Sequence, residues 1–373
     1  MRAVYLDHAA TSPLRPEARE AWLRAADAGG NASSVHGVGR KAKLLLEEAR
    51  ASILAGMGAT GAAGLVFTSG GTEANALALR QAQDFDYIAV SEGEHDSIFA
   101  AAHDIGKPVV LVKLLPSGAV DLDDLRQIVE ARDGRPFACV MLANNETGVI
   151  SDVAAAAEIV HARGGWLHVD AVQALGKIAI DFQQLGADSL SLSAHKIGGG
   201  QGVGALAYDR DRVIKPLILG GGQELGLRAG TENIPGIAAF AAALEACTLL
   251  DAAVKAAQAE VEAALIQTGA TILGAAAERV PGVTCLVQPG WASSLQLIHM
   301  DMAGVCVSSG SACSSGKVKA SRVVTAMGHP ELADKVLRVS AGWATQGDDL
   351  RRFYDIWSAG YAAFLKRHAK EVA

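Results

Sequence analysis

Between about Leu65 and Tyr208, short apolar runs alternate with stretches of helical periodicity: LVFTSG, YIAVSEGEH, PVVLVKL, FACVMLANNE, GWLHVDAVQ, SLSLSAHK and GALAYD. Strands separated by helices in this way predict βαβ units around a mainly parallel sheet, an α/β domain. Leu190 to Ala194 alternates apolar and polar residues, as a half-buried strand does. Ligands of such sheets collect where the strands end. Polar clusters stand at those carboxyl ends: Ser69 to Thr72, His95, Asn144 to Thr147, Asp170 to Gln173, and Ser193 to Lys196. After TENIPG comes a long alanine-rich stretch, with Ile234 to Val254 reading as a packed helix, and then new strands at TCLVQ, SLQLIHM and LRVSAG. The change predicts a smaller α+β domain beginning near residue 250. Residues 13–250 are therefore assigned to the large domain, and 251–373 together with 1–12 to the small one.

A chain of 373 residues exceeds the length one hydrophobic core serves well, which agrees with two domains. Half of the residues are hydrophobic and 20% are charged, a composition that buries a sizeable core. The formal net charge of -7 argues against general nucleic-acid binding, which needs a basic face. Five cysteines, at 139, 247, 285, 306 and 313, have neither a disulfide framework's spacing nor a zinc ribbon's. A reducing compartment follows. The amino terminus lacks the cationic and apolar segments of a signal peptide, and the most apolar long run is broken by Glu245 and Asp251. The expectation is a cytoplasmic protein without a membrane span.

Candidate chemistry begins with Lys196, which sits after a strand and before a glycine cluster in LSLSAHKIGGGQG. It is either a solvated loop lysine or a desolvated amine able to hold a carbonyl cofactor as a Schiff base. In TSGGTEANALALR, Gly70, Gly71 and Thr72 stand where a strand gives way to a helix, and free amides there can bind a phosphate. Asp170 in HVDAVQ is either a helix cap or a carboxylate facing a pyridine nitrogen, with Gln173 on the same side if a helical turn begins there. His95 either lies on an aromatic ring or caps a loop. Cys306, between two valines, reads as a structural strand thiol. Cys313, set among serines and glycines, reads as an accessible one.

Taken in order, GGTEAN, the strand-end histidine, NNETG, DAVQ, SxHK, RAGTEN, SSGSAC and LRVSAG resemble the cysteine desulfurases of the NifS and IscS type. These are pyridoxal-phosphate enzymes of fold type I, in the class V aminotransferase superfamily. The likeness starts with YLDHAATSPLRPE and GNASSVHGVGRKA and runs nearly the whole chain. It implies that Lys196 carries the cofactor, Asp170 pairs with its ring nitrogen, Gln173 bonds its ring hydroxyl, and His95 stacks on the ring and shuttles protons. It implies that Gly71, Thr72, Ser193 and His195 hold the phosphate, joined by Thr231 from the partner subunit of a homodimer. Asn145 and Arg338 would bind the carboxylate of L-cysteine, for which a guanidinium offers two-pronged geometry. The Cys313 thiolate would take the sulfur as a persulfide, leaving alanine, and pass it to an acceptor protein such as an iron-sulfur scaffold or another carrier.

Gln201 and Ala32 depart from the usual residues of the family without touching a chemical role, and the tail after Arg338 is short beside members that dock a scaffold. The neighbouring readings are a selenocysteine lyase or another class V enzyme. Cys313 speaks against an aminotransferase, which has no need of it. A non-catalytic cofactor-binding protein would not need Lys196, Asp170, His95 and Cys313 together.

Overall fold

The computed structural model describes residues 3–310 and 320–371. The chain opens with strand β1 (Val4–Tyr5) and helices α1 (Pro16–Ala28) and α2 (Gly37–Ala55). Strands and helices then alternate: β2 (Ala63–Thr68), α3 (Gly71–Leu79), β3 (Tyr87–Ser91), α4 (Asp96–Asp104), β4 (Val109–Val112), α5 (Leu122–Ala131) and β5 (Pro136–Met141). The alternation continues through α6 (Val153–His161), β6 (Trp166–Asp170), α7 (Phe182–Leu185), β7 (Ser189–Ser193) and β8 (Gly204–Asp209). There follow α8 (Ile234–Glu245), α9 (Ala252–Gln267), β9 (Thr271–Leu273), β10 (Val283–Val287) and α10 (Ser293–Met302). The last elements are β11 (Val305–Cys306), α11 (Arg322–Ala326), β12 (Val336–Ser340) and α12 (Gly347–Glu371).

Seven strands form one sheet in the order β2-β8-β7-β6-β5-β3-β4. From β7 to β4 every pairing is parallel, and β8 runs antiparallel to both of its neighbours. Helices on both faces bury the middle of such a sheet, so β5, β6 and β7 have no exposed position, whereas Leu111 on the edge strand β4 is exposed. This corrects the half-buried reading of Leu190 to Ala194. The serines of β7 alternate with leucines yet are as buried, because Ser189 and Ser191 find hydrogen-bond partners in Trp166 and His168.

A second core gathers Val4 and Leu6 with Val254, Val261, Leu286, Leu337, Phe353 and Trp357. It lies on the antiparallel sheet β12-β10-β9 and on β1, which pairs with β11. Two expectations fail here. The SLQLIHM stretch is helix α10, whose buried face carries Ser293, Gln296 and Met300 at helical spacing. The polar residues on that face are satisfied internally: Ser293 donates to the Asp334 carbonyl, and Gln296 donates to the Trp291 and Lys335 carbonyls while accepting from the Trp357 indole. Alternation of Leu295 and Leu297 therefore misled the reading. The stretch Ile234 to Val254 is likewise not one helix: α8 ends at Glu245, and α9 restarts after Asp251, whose side chain accepts from the Ala253 amide. No helix among the described residues is long and apolar enough to cross a membrane.

One glycine holds the sheet against the start of α3. A Cβ at Gly204 would lie 2.5 Å from the Gly70 carbonyl carbon and 2.6 Å from the Leu192 oxygen, both backbone atoms that cannot yield. Gly204→Ala is expected to lower stability in urea unfolding by about 1–3 kcal/mol, the usual cost of overpacking. It should also displace the Gly70–Thr72 turn, which a loss of anion affinity at that turn would register.

Candidate active site

The carboxyl ends of β3, β5, β6 and β7 open into a cavity of about 490 Å³. Gly71, Thr72, His95, Asn145, Asp170, Gln173, Ser193, His195, Lys196 and Arg338 all line it. Ten of the twelve residues singled out in the sequence are thus brought together. Thr231 is exposed and lines a separate hollow with Arg228. Cys313 lies outside the described residues, although Gly310 and Ala320 on either side of it border the cavity.

Lys196 stands on a 3-10 turn, Ala194–Ile197, that stops at Gly198 in the left-handed region (φ 82°). A side chain at Gly198 would also meet the Pro13 carbonyl at 2.7 Å, because the amino-terminal segment is strapped across the turn. The strap donates the Ser12 amide to the His195 carbonyl, the Ser12 hydroxyl to the Lys196 carbonyl and the Arg15 amide to the Gly198 carbonyl. Lys196 Nζ in turn donates to the carbonyls of Ala9 and Ala10, both at 2.8 Å. Burial and the Arg338 charge push this amine down to about 8, so roughly a tenth of it is neutral and nucleophilic at pH 7, far more than for an ordinary lysine. Burial and the two neighbouring lysines, Lys196 and Lys177, likewise hold His195 down to about 4, hence uncharged.

Asp170 ends β6 and is buried. Its Oδ1 accepts from the Val172 amide at 3.0 Å and its Oδ2 from Asn75 Nδ2 at 2.9 Å, so the carboxylate caps the turn and still faces the cavity. Gln173 donates Nε2 to the Ala9 carbonyl and accepts from Lys177 Nζ at 2.6 Å. His95 is the N-cap of α4, accepting the Ser97 amide. It therefore both caps a helix and lines the cavity. Asn145 follows a turn in which Asn144 Oδ1 accepts the amides of Glu146 and Thr147.

Arg338 comes from β12 in the other core and is buried. It pairs with Asp7 at 2.8 Å and donates to the Asn145 carbonyl at 2.8 Å, while its Nε has no partner among the described residues. Sequence reasoning assigned no role to Asp7, Asn75, Ser97, Glu94, Glu146 or Lys177. Glu94 is pushed well above the carboxylate range by burial and the nearby Asp170. Glu146 accepts from the Ser321 hydroxyl at 2.6 Å and packs against Gly310. Lys177 is pushed down to about 7 by burial and the charges of Lys196 and Arg338. The available signal for Asn75 was a polar side chain on the buried face of α3.

Do these residues fit a phosphorylated aromatic aldehyde? Three observations say that they do. Gly70 gives α3 no side-chain cap, which leaves the amides of Gly71 and Thr72 for an anion. The Ser193 hydroxyl is buried at the cavity wall without a partner among the described residues. Lys196 supplies a partly neutral amine, with a buried carboxylate, Asp170, on the same cavity.

Residues 4–353 match the family model for aminotransferase class-V. A curated cysteine desulfurase of Cereibacter sphaeroides is 37% identical over 369 residues, covering 95% of each chain. The cysteine desulfurase IscS of Dictyoglomus turgidum is 36% identical over 95% of this chain and 93% of its own. The crystal structure of a NifS-like protein from Rickettsia africae superposes with a TM-score of 0.89 at 32% identity, over 97% of this chain and 100% of that one.

The depressed Lys196 amine has a direct readout. In the full-length protein without cofactor, the rate at which Lys196 is labelled by an amine-directed reagent should rise with pH through a midpoint near 8, as peptide mapping would follow. A midpoint close to that of an ordinary lysine, about 10.4, would show that burial does not tune this amine.

Proposed function

The chain belongs to the aminotransferase class-V family, whose cysteine desulfurases use pyridoxal phosphate, and we propose that it removes sulfur from L-cysteine to give L-alanine. The observation that carries this reading is the meeting of Lys196, Asp170 and Arg338 on one cavity, bordered by Gly310 and Ala320 at the two ends of the Cys313 segment. Bound there, the cofactor supplies an electron sink for negative charge developing beside the substrate α-carbon.

The residues of the chain do the rest. Gly71, Thr72, Ser193 and His195 would hold the phosphate, Asp170 would pair with the ring nitrogen, Gln173 with the ring hydroxyl, and His95 would stack on the ring. Arg338 and Asn145 receive the substrate carboxylate, Arg338 exchanging part of its pairing with Asp7 for it. Lys196 and His95 would move the α-proton. The Cys313 thiolate attacks the substrate sulfur, so that an S–S bond forms as the carbon-sulfur bond breaks. The carbon keeps the electron pair, takes up a proton and leaves in alanine, and the sulfur stays on Cys313 for an acceptor protein, an iron-sulfur scaffold or another carrier.

Thr231 is exposed and outside its own chain's cavity, which supports its serving the phosphate of the partner subunit in a homodimer. Free thiols at Cys139, Cys247, Cys285 and Cys306 support a reducing, cytoplasmic setting. The second core, drawn from residues 4–6 and 254–357, supports a small domain of 251–373 with 1–12 beside a large one of 13–250, and residues between Leu273 and Val336 also pack into the first core.

Incubated with L-cysteine and a reductant, the loaded enzyme should release sulfide and alanine in equal amounts. Cys313→Ser should still bind L-cysteine and perturb the visible spectrum, yet release almost no sulfur, whereas Cys306→Ser should keep wild-type turnover. After one turnover without reductant, mass spectrometry should find one added sulfur on the Cys313 peptide. Normal turnover by Cys313→Ser would sink the thiolate mechanism. Thr231→Ala should hold the cofactor less tightly than wild type without unfolding. A fully active monomer at low concentration would refute the shared site.

A further inference from the structure

Asn75 is buried beneath the cavity and spends every hydrogen-bonding group it has. Its Nδ2 donates to Asp170 Oδ2 and to Ser97 Oγ, each at 2.9 Å, and its Oδ1 meets His168 Nε2 at 3.1 Å. Ser97 Oγ lies 2.8 Å from His95 Nδ1. One amide thus touches both the carboxylate assigned to the ring nitrogen and the serine that holds the histidine assigned to the ring face.

The direction of each bond follows from the partners at the two ends. The Trp166 indole can only donate, and it donates to Ser189 Oγ at 2.9 Å. At the near end the Asp170 carboxylate can only accept, so the Asn75 amide nitrogen faces it and Oδ1 faces His168. His168 Nε2, which also lies 3.3 Å from Ser191 Oγ, therefore carries the hydrogen given to Oδ1, and Nδ1 accepts from the Ser189 hydroxyl at 2.9 Å. Burial drives His168 down to about 3, so it remains the neutral donor this chain requires. Ser97 Oγ accepts from Asn75 and turns its hydrogen to His95 Nδ1, where the Ser97 amide also donates at 3.1 Å. Two donors on Nδ1 leave Nε2 as the protonated nitrogen of neutral His95.

We propose that Asn75 is a positioning residue for the reaction: through Ser97 it holds His95 in the Nε2–H tautomer, and directly it orients the Asp170 carboxylate. The roles of His95 and Asp170 rest on the reading given above, while the tautomer does not. Neutral His95 then presents the cavity with a hydrogen to give, so its part in proton traffic is delivery, and removal of the α-proton falls to Lys196.

The test is nitrogen-15 NMR of the histidine-labelled full-length protein, first without and then with cofactor, His95 being identified by its loss in His95→Gln. Wild type should show the Nε2–H tautomer of His95 in large excess. Ser97→Ala leaves only the backbone donor, so the Nδ1–H form should rise several-fold while cofactor retention stays at the wild-type level. Asn75→Ala should shift the tautomer likewise and also weaken cofactor retention about tenfold, the scale of one hydrogen bond to a charged group. A wild-type His95 protonated on Nδ1 would overturn the proposal, and so would a Ser97→Ala protein with an unchanged tautomer ratio, even if Asn75→Ala fails to fold. Absence of cysteine turnover with the expected tautomer would instead refute the proposed reaction and leave the tautomer assignment standing.

Discussion

Three cationic side chains, Lys177, Lys196 and Arg338, are packed within reach of one another's fields at the mouth of the parallel sheet. Their repulsion adds to burial, and both act against charge on the two lysines. The surrounding structure answers that constraint with oxygen atoms. Carbonyls of Ala9 and Ala10 receive Lys196, the Gln173 amide oxygen receives Lys177, and Asp7 receives Arg338. All of these except Gln173 come from the amino-terminal strap, so a dozen residues before the first helix decide whether the amine can be both buried and reactive.

The strap also explains how the two cores cooperate. β1 belongs to the second core and pairs with β11, whereas Ser12 and Arg15 are bonded to the lysine turn on the first. Arg338 crosses in the other direction, from β12 to the Asn145 carbonyl. Arg322, on α11 of the first core, ties that helix to Asp96 and the Glu94 carbonyl beside His95, with its guanidinium over the Phe99 ring. Arg338 and Lys196 therefore meet on one cavity, and residues of both cores fix the geometry of that lysine.

Much of this was legible in the sequence, because strand ends announce themselves. A run of apolar residues followed by a polar cluster marks where a parallel strand opens on a ligand, and His95, Asp170 and Lys196 were found that way. Arg338 came from family likeness, and its counter-ion Asp7, 331 residues away, has no local signature. Asn75 and His168 were missed for a related reason: a polar residue within an apolar pattern reads as a blemish until its partners are known. Helix α10 failed on the same ground, since Gln296 sits on its buried face and is satisfied by the Lys335 carbonyl and the Trp357 indole, both remote in sequence. Cys313 was placed by its neighbours and by resemblance alone.

The pairing of Asp7 with Arg338 also orders events during synthesis. The strap is made well before its partners on the lysine turn and on β12, the last of them 331 residues further along. Contacts of such sequence separation are slow to form and are completed after the locally paired units. The βαβ units can assemble as they emerge, and Ser12 and Arg15 can fasten the lysine turn once residues 195–198 are made, whereas Asp7 and the Ala9 amide wait for Arg338 and Ser340 of β12. A nascent chain stalled before β12 would therefore carry the lysine turn without the Arg338 charge that adds to burial in tuning its amine.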